Sequence, residues 1–229
     1  VRGHDGARVR GGGGRRRRTR PPRGVGLAVA ISPALSSLGY AEDAEGVVDK
    51  LLAAHASYLS SDNDHYDDVL HEVEDRIAAS GSAGKTDVAA LVSWKRLNAS
   101  AVWVRELMQL PESAVRDATG TAFAAARSTE SISEAAANAV AALHPLPGLR
   151  RGGAVASAVL TAGVPERMAV YDRRAHASLR KLGISIGYKT GIYSRYMAVV
   201  EALRYDVNNA RGLAWRARDV DLALYWMAE

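Results

Sequence analysis

From Ala41 onward, apolar side chains recur at spacings of three and four with few breaks, the pattern that amphipathic helices require. Val47, Val48, Leu51, Leu52, His55, Tyr58 and Leu59 make one such face, and Tyr66, Val69, Leu70, Val73 and Ile77 make the next. Thr86 and Asp87 are expected to cap a helix over Val88 to Asn98, with Val88, Leu91, Val92 and either Trp94 or Lys95 turned inward, depending on phase. A short helix holds Val102, Leu107 and Met108, and Pro111-Glu112 opens another that carries Val115, Thr119 and Phe123. Ser131 and Glu134 have capping-box spacing ahead of a helix running to Leu143. Leu179, Leu182 and Ile184 close a helix at Gly183; Ile192 to Tyr205 is a long helix, and Asp206 to Arg211 reads as a turn-rich link. Asp219 heads the last helix, whose Val220, Leu222, Ala223, Tyr225 and Trp226 are too closely spaced for one stripe and predict packing on two sides. No strand pattern and no internal repeat is present, so the predicted fold is all-α.

The stretch from Leu146 to Leu179 organises the rest. Pro147 and Gly148 stop one helix, and Gly152 and Gly153 permit positive φ or a close backbone approach where the next begins at Ala154. The first turn of that small-residue helix, Ala154 to Leu160, leaves amide N–H groups free for an anion such as a DNA phosphate, and Arg150 and Arg151 add charge at the same bend. Val170-Tyr171-Asp172 then leads an apolar segment to a carboxylate placed to cap the helix Arg173 to Leu182.

Leu146-Pro147-Gly148, Gly152, the run Ala156-Ser157-Ala158-Val159-Leu160, and Val170-Tyr171-Asp172 with Arg173 and Arg174 resemble the helix-hairpin-helix DNA glycosylase superfamily, most closely its 8-oxoguanine glycosylase-like bacterial branch. The resemblance is strongest over about Ser131 to Asp172. It implies a helix-hairpin-helix glycosylase-like bundle over residues 41–229 with the motif at about 132–163, preceded by a basic, disordered tail over 1–40. It also implies a hairpin that grips the phosphate backbone of double-stranded DNA, a monovalent cation held by backbone carbonyls of the turn, and a role for Asp172 in cleaving the N-glycosidic bond. Gly148, Arg150, Arg151, Gly152, Gly153, Arg173 and Arg174 become the expected DNA contacts. Two departures stand out. Two extra residues follow Gly148, so the turn can fall instead on Leu149-Arg150-Arg151-Gly152, with Arg150 where the first glycine belongs. Bifunctional members carry a Schiff-base lysine where this chain has Gly153 or its neighbours, and no lysine lies between Lys95 and Lys181. A catalytic chain would therefore hydrolyse with water, as monofunctional members do; the alternative is a DNA-binding member that has lost the chemistry.

Composition narrows this further. The 229 residues include no cysteine, which excludes disulfides, zinc thiolates and iron–sulfur clusters, so no cofactor beyond the hairpin cation is expected. Net charge is +5, much of it from Val1 to Gly24 with its Arg15–Arg18 run, which reads either as a basic DNA-binding arm or as upstream sequence from a start codon called too early. A basic region before the apolar run Val25 to Leu35 has the layout of a secretory signal, but Gly26, Pro33 and the lack of a small-x-small cleavage site argue for a cytoplasmic protein, taken as a monomer. That run is too short and broken to span a membrane, so no membrane partner is expected. Asp62, Asp64, Asp67 and Asp68 lack calcium-loop spacing and suit a helix N-terminus, and Gly84-Lys85-Thr86 lacks the first glycine and the strand of a phosphate-binding loop. His55 reads as a packed histidine, Asp219 and Asp221 as first-turn acids, and Trp94, Trp103, Trp215, Tyr205 and Tyr225 as the aromatics from which a base-stacking surface could be drawn.

Overall fold

A computed structural model describes residues 33–38, 44–61, 65 and 67–228. These residues form helices α1 (Pro33–Ser37), α2 (Ala44–Leu59), α3 (Asp68–Ser80), α4 (Lys85–Trp94), α5 (Val102–Gln109) and α6 (Glu112–Ala126). They continue through α7 (Ile132–Ala142), α8 (Ala154–Gly163), α9 (Arg173–Lys181), α10 (Ile192–Arg211) and α11 (Ala217–Met227), with no strand among the described residues. The all-α expectation therefore holds. The tail reading over 1–32, the runs Arg15–Arg18 and Val25 to Ser32, and the positions Asp62, Asp64 and Tyr66 lie outside the described residues. Pro33–Ser37, assigned to the tail, is helical, and Leu35 is buried where α1 meets α10.

Helix α8 is the centre of the packing. Val155 through Gly163 are all buried, and the helix lies against α3, α4 and α6. Its small side chains make this possible: a Cβ on Gly163 would stand 2.2 Å from a ring carbon of Phe123, so the fully buried phenyl of α6 rests on the α8 backbone itself. Around this centre α6 packs on α7, α7 on α10, and α11 on α2 and α9. The double-sided burial expected of the last helix is present, since Val220, Asp221, Leu222, Ala223 and Leu224 are consecutive buried residues.

Several boundaries moved for physical reasons. Helix α4 begins at Lys85, because the Asp87 carboxylate accepts the Gly84 N–H at 2.8 Å from the third helical position, making Gly84 the cap. Helix α10 does not stop at Tyr205. Asp206 and Val207 are buried, the Asn208 side chain bonds both the N–H and the carbonyl of Trp215 at 2.8 and 3.1 Å, and the helix ends at left-handed Gly212. Tertiary partners thus override the turn preference of the Asp-Val-Asn-Asn run. Helix α11 starts at Ala217, with the Asp219 carboxylate accepting the Arg216 N–H at 2.7 Å. The Ser131–Glu134 capping box forms as expected.

Candidate functional site

The segment Met168–Tyr171 is neither helix nor strand, and its first three residues are buried, so its backbone groups have no sheet in which to pair. Side chains from three helices satisfy them instead. Tyr193 and Tyr196 of α10 donate to the carbonyls of Ala169 and Val170 at 3.1 and 2.9 Å; Asp221 of α11 accepts the Val170 N–H at 2.7 Å; and Ser157 of α8 accepts the Tyr171 N–H at 3.0 Å. This fixes the residue that follows. Asp172 caps α9, accepting the Ala175 N–H at 3.0 Å through one oxygen. Its other oxygen accepts a 2.7 Å bond from Lys95 Nζ, with the two side chains only 8% and 16% exposed.

Lys95 reaches this point because of how α4 ends. The Leu97 N–H bonds the Val92 carbonyl and the Arg96 N–H bonds that of Ser93, while Arg96 takes φ 52°; it is the one non-glycine at positive φ among the described residues. This is the glycine-type helix stop built with an arginine, a conformation that costs about 1 kcal/mol. Lys95 and Arg96 are thereby directed into a cleft of about 620 Å³ lined also by Trp94, Tyr171, Asp172, Arg173, Arg174, His176, Arg180, Tyr188 and Tyr225. Ala154, at the first turn of α8, borders it too. The Lys95 ammonium lies 5.2 Å from the Trp94 ring centroid and 5.7 Å from that of Tyr225, and the Arg174 guanidinium lies 4.6 Å from Tyr225. The His176 pKa is lowered by burial and then by Arg180, and its Nδ1 is 3.2 Å from the Tyr188 hydroxyl. Burial also raises the Tyr171 phenol.

Beneath the cleft lies a buried ionic group. Arg218 bonds both oxygens of Asp67, at 2.9 and 2.7 Å, and also pairs with Asp221, which faces the same small cavity as Lys95 and Asp172. Asp67 and Asp221 are therefore not solvated helix-start acids; they are the counter-ions of a buried guanidinium whose charge they hold above its ordinary pKa against the cost of burial. Burial pushes the Asp221 carboxyl up to about 6, although Arg218, the Val170 N–H and Lys95 all act to lower it. A carboxyl with a raised pKa binds its proton more readily folded than unfolded, so its contribution to stability is full at low pH and is lost as pH rises through about 6. In urea titrations of Asp221→Asn and the parent protein, the stability difference is expected to move in favour of the variant by up to about 3 kcal/mol between pH 4 and pH 7. A difference independent of pH would show that Asp221 is ionised throughout.

The sequence-derived positions fall into two groups. Asp172, Arg173 and Arg174 line the cleft. Gly148, Arg150, Arg151, Gly152 and Gly153 lie in the α7–α8 turn and do not line it, although Gly153 caps the helix whose first residue does. Gly148 and Gly152 have φ of 80° and 60°, whereas Gly153 is extended with open space around it; Arg150 Nε donates to the His144 carbonyl at 3.1 Å. Of the aromatics, Trp94 and Tyr225 line the cleft; Trp103 packs on Gly148, Trp215 stacks on His55 at 4.6 Å and Tyr205 borders a different groove. Sequence reasoning missed Lys95, Tyr171, His176 and Tyr188, and for Lys95 the signal was its place one residue beyond the buried Trp94. Among the described residues no three His, Asp or Glu side chains are grouped to hold a metal ion, and no helix is long and apolar enough to cross a membrane. No family model matches the chain, and no curated protein or solved structure is similar to it.

Proposed function

We propose that this protein is a helix-hairpin-helix DNA glycosylase-like enzyme that removes a damaged base from double-stranded DNA, with Asp172 as its catalytic carboxylate. The observation that carries the reading is Asp172 itself: a fixed, mostly buried carboxylate in the wall of a cleft whose lining holds five Lys and Arg residues against that one acid. An anionic polymer suits such a rim, with Arg96, Arg173, Arg174 and Arg180 neutralising phosphates on either side of a nucleotide swung out of the duplex. Tyr188 and Tyr225 offer faces on which an extruded base can stack, and the volume of about 620 Å³ accommodates a base with its sugar. Asp172 would then stabilise positive charge developing at C1′ as the glycosidic bond breaks. A non-catalytic DNA-binding role is the second reading, favoured by Gly153 at the place of the hairpin lysine and by the engagement of both Asp172 oxygens in structural bonds.

The test is single-turnover incubation with duplexes carrying 8-oxoguanine, uracil, hypoxanthine or 3-methyladenine, developed with and without alkali, alongside Asp172→Asn. Excision of one of these bases is expected, falling at least about 100-fold in the variant, with salt-sensitive DNA binding retained. Binding without excision in the parent protein would select the non-catalytic reading.

A further inference from the structure

Asp172 is placed to stabilise charge but not to take up a proton. One of its oxygens accepts the Ala175 N–H at 3.0 Å, and the other accepts a 2.7 Å bond from the Lys95 ammonium in a pair that is mostly buried. Protonating this carboxylate would leave the ammonium buried without its counter-ion, which opposes its use as a base. Hydrolysis still needs an acceptor for the proton of the attacking water, and the geometry points to His176 as that general base. This rests on the glycosylase-like reading of the same cleft and divides its chemistry between two residues, with Asp172 as the fixed anion and His176 as the proton acceptor.

His176 lies one turn beyond Asp172, its backbone N–H bonded to the Asp172 carbonyl at 3.1 Å, so the two residues stand about 6 Å apart along the α9 axis and line the same cleft. The imidazole is 8% exposed and its Nε2 has no hydrogen-bond partner. No buried side-chain nitrogen among the described residues lacks a partner, so Nε2 opens to the cleft that the ring lines. At the other nitrogen the Tyr188 hydroxyl, 3.2 Å away, can accept from Nδ1–H. That leaves the lone pair on Nε2 and gives a base held by an orienting group. Packing fixes the ring as well, 4.7 Å from the ring of Tyr188 and edge-on to that of Tyr171 at 6.3 Å. Burial and Arg180 favour the unprotonated ring, and every other charge lining the cleft is a cation except Asp172, which Lys95 already engages.

The steps balance. The C1′–N bond breaks with its electron pair going to the base, while Asp172 offsets the positive charge on the sugar. Water adds to C1′ as its proton passes to Nε2 of His176. The imidazolium, its Nδ1–H held by the Tyr188 oxygen, then gives that proton to the departing base or to solvent. The products are the free base and a deoxyribose with a hydroxyl at C1′, and the imidazole is regenerated. No oxidant or reductant is consumed.

The experiment is single-turnover excision by the full chain from about pH 5 to about pH 9, with His176→Gln and His176→Ala alongside. The substrate is whichever of the 8-oxoguanine, uracil, hypoxanthine and 3-methyladenine duplexes the parent protein processes. Its rate is expected to fall about tenfold per pH unit on the acid side. In His176→Gln the rate at neutral pH falls at least about 100-fold and the acid limb disappears, with salt-sensitive DNA binding retained. Imidazole added to the buffer restores the rate of His176→Ala at least about tenfold, which a merely structural histidine would not allow. A parent rate that is flat through the acid range overturns the proposal even if the variants fold poorly. An acid limb that persists in His176→Gln belongs to another group, such as Asp221, and overturns it too, as does a loss that imidazole leaves unrestored. Excision unchanged in His176→Gln keeps the glycosylase and removes the histidine, whereas a parent protein that binds DNA and excises none of the four bases removes both.

Discussion

Lys95→Met is expected to lower unfolding free energy by about 2–4 kcal/mol, and Asp172→Asn by a similar amount, because each leaves a mostly buried charge without its counter-ion. The second value is informative, because asparagine caps a helix about as well as aspartate, so the exchange would cost little at the cap and the loss reports the broken ion pair. The pair is 8% and 16% exposed, so solvent screening is weak. In the double variant Lys95→Met/Asp172→Asn neither charge remains, and its destabilisation should fall short of the sum of the single values by about 2–3 kcal/mol. Urea unfolding followed by far-ultraviolet circular dichroism measures all four corners of the cycle. Single effects that add to within about 0.5 kcal/mol would mean that the two groups behave like a surface ion pair. Because Asp172→Asn perturbs stability as well as charge, its excision assay is paired with DNA binding.

Gly148→Ala is expected to cost about 3 kcal/mol or more, corresponding to a fall in Tm of about 6–12 °C. Two independent effects combine. The backbone at Gly148 has φ 80°, where a side chain is strained, and the added Cβ would lie 2.2 Å from a ring carbon of Trp103. The indole is rigid at that point, so it has to move as a whole, together with the start of α5. Gly153→Ala is the matched control, since Gly153 is extended and a Cβ there meets nothing within 4 Å. Equal effects in differential scanning calorimetry would show that the α7–α8 turn is soft and that its packing on Trp103 contributes little.

Much of the fold is legible in the local pattern. The period of three and four residues marks α2, α3, α5 and α6; Ser131 with Glu134 marks the start of α7; and the Asp172 cap marks that of α9. These features depend on contacts within one or two helical turns, which residue order alone specifies. The continuation of α10 through Asp206 and Asn208 was not legible, because it depends on a side chain bonding Trp215 seven residues away across a turn.

The candidate site divides in the same way. Sequence by itself determined that the chain is helical, that Gly148 and Gly152 sit in a tight turn, and that Asp172 heads a helix flanked by Arg173 and Arg174. Only the tertiary structure decided that Lys95, 77 positions earlier, meets Asp172, and that Asp67 and Asp221, 154 positions apart by number (221 less 67), share one buried guanidinium. The reason is physical. Helix periods and caps are properties of neighbouring residues, whereas the partner of a buried charge is whichever opposite charge the packing of distant helices brings within reach, and the cost of leaving that charge unpaired fixes the pairing once the helices dock.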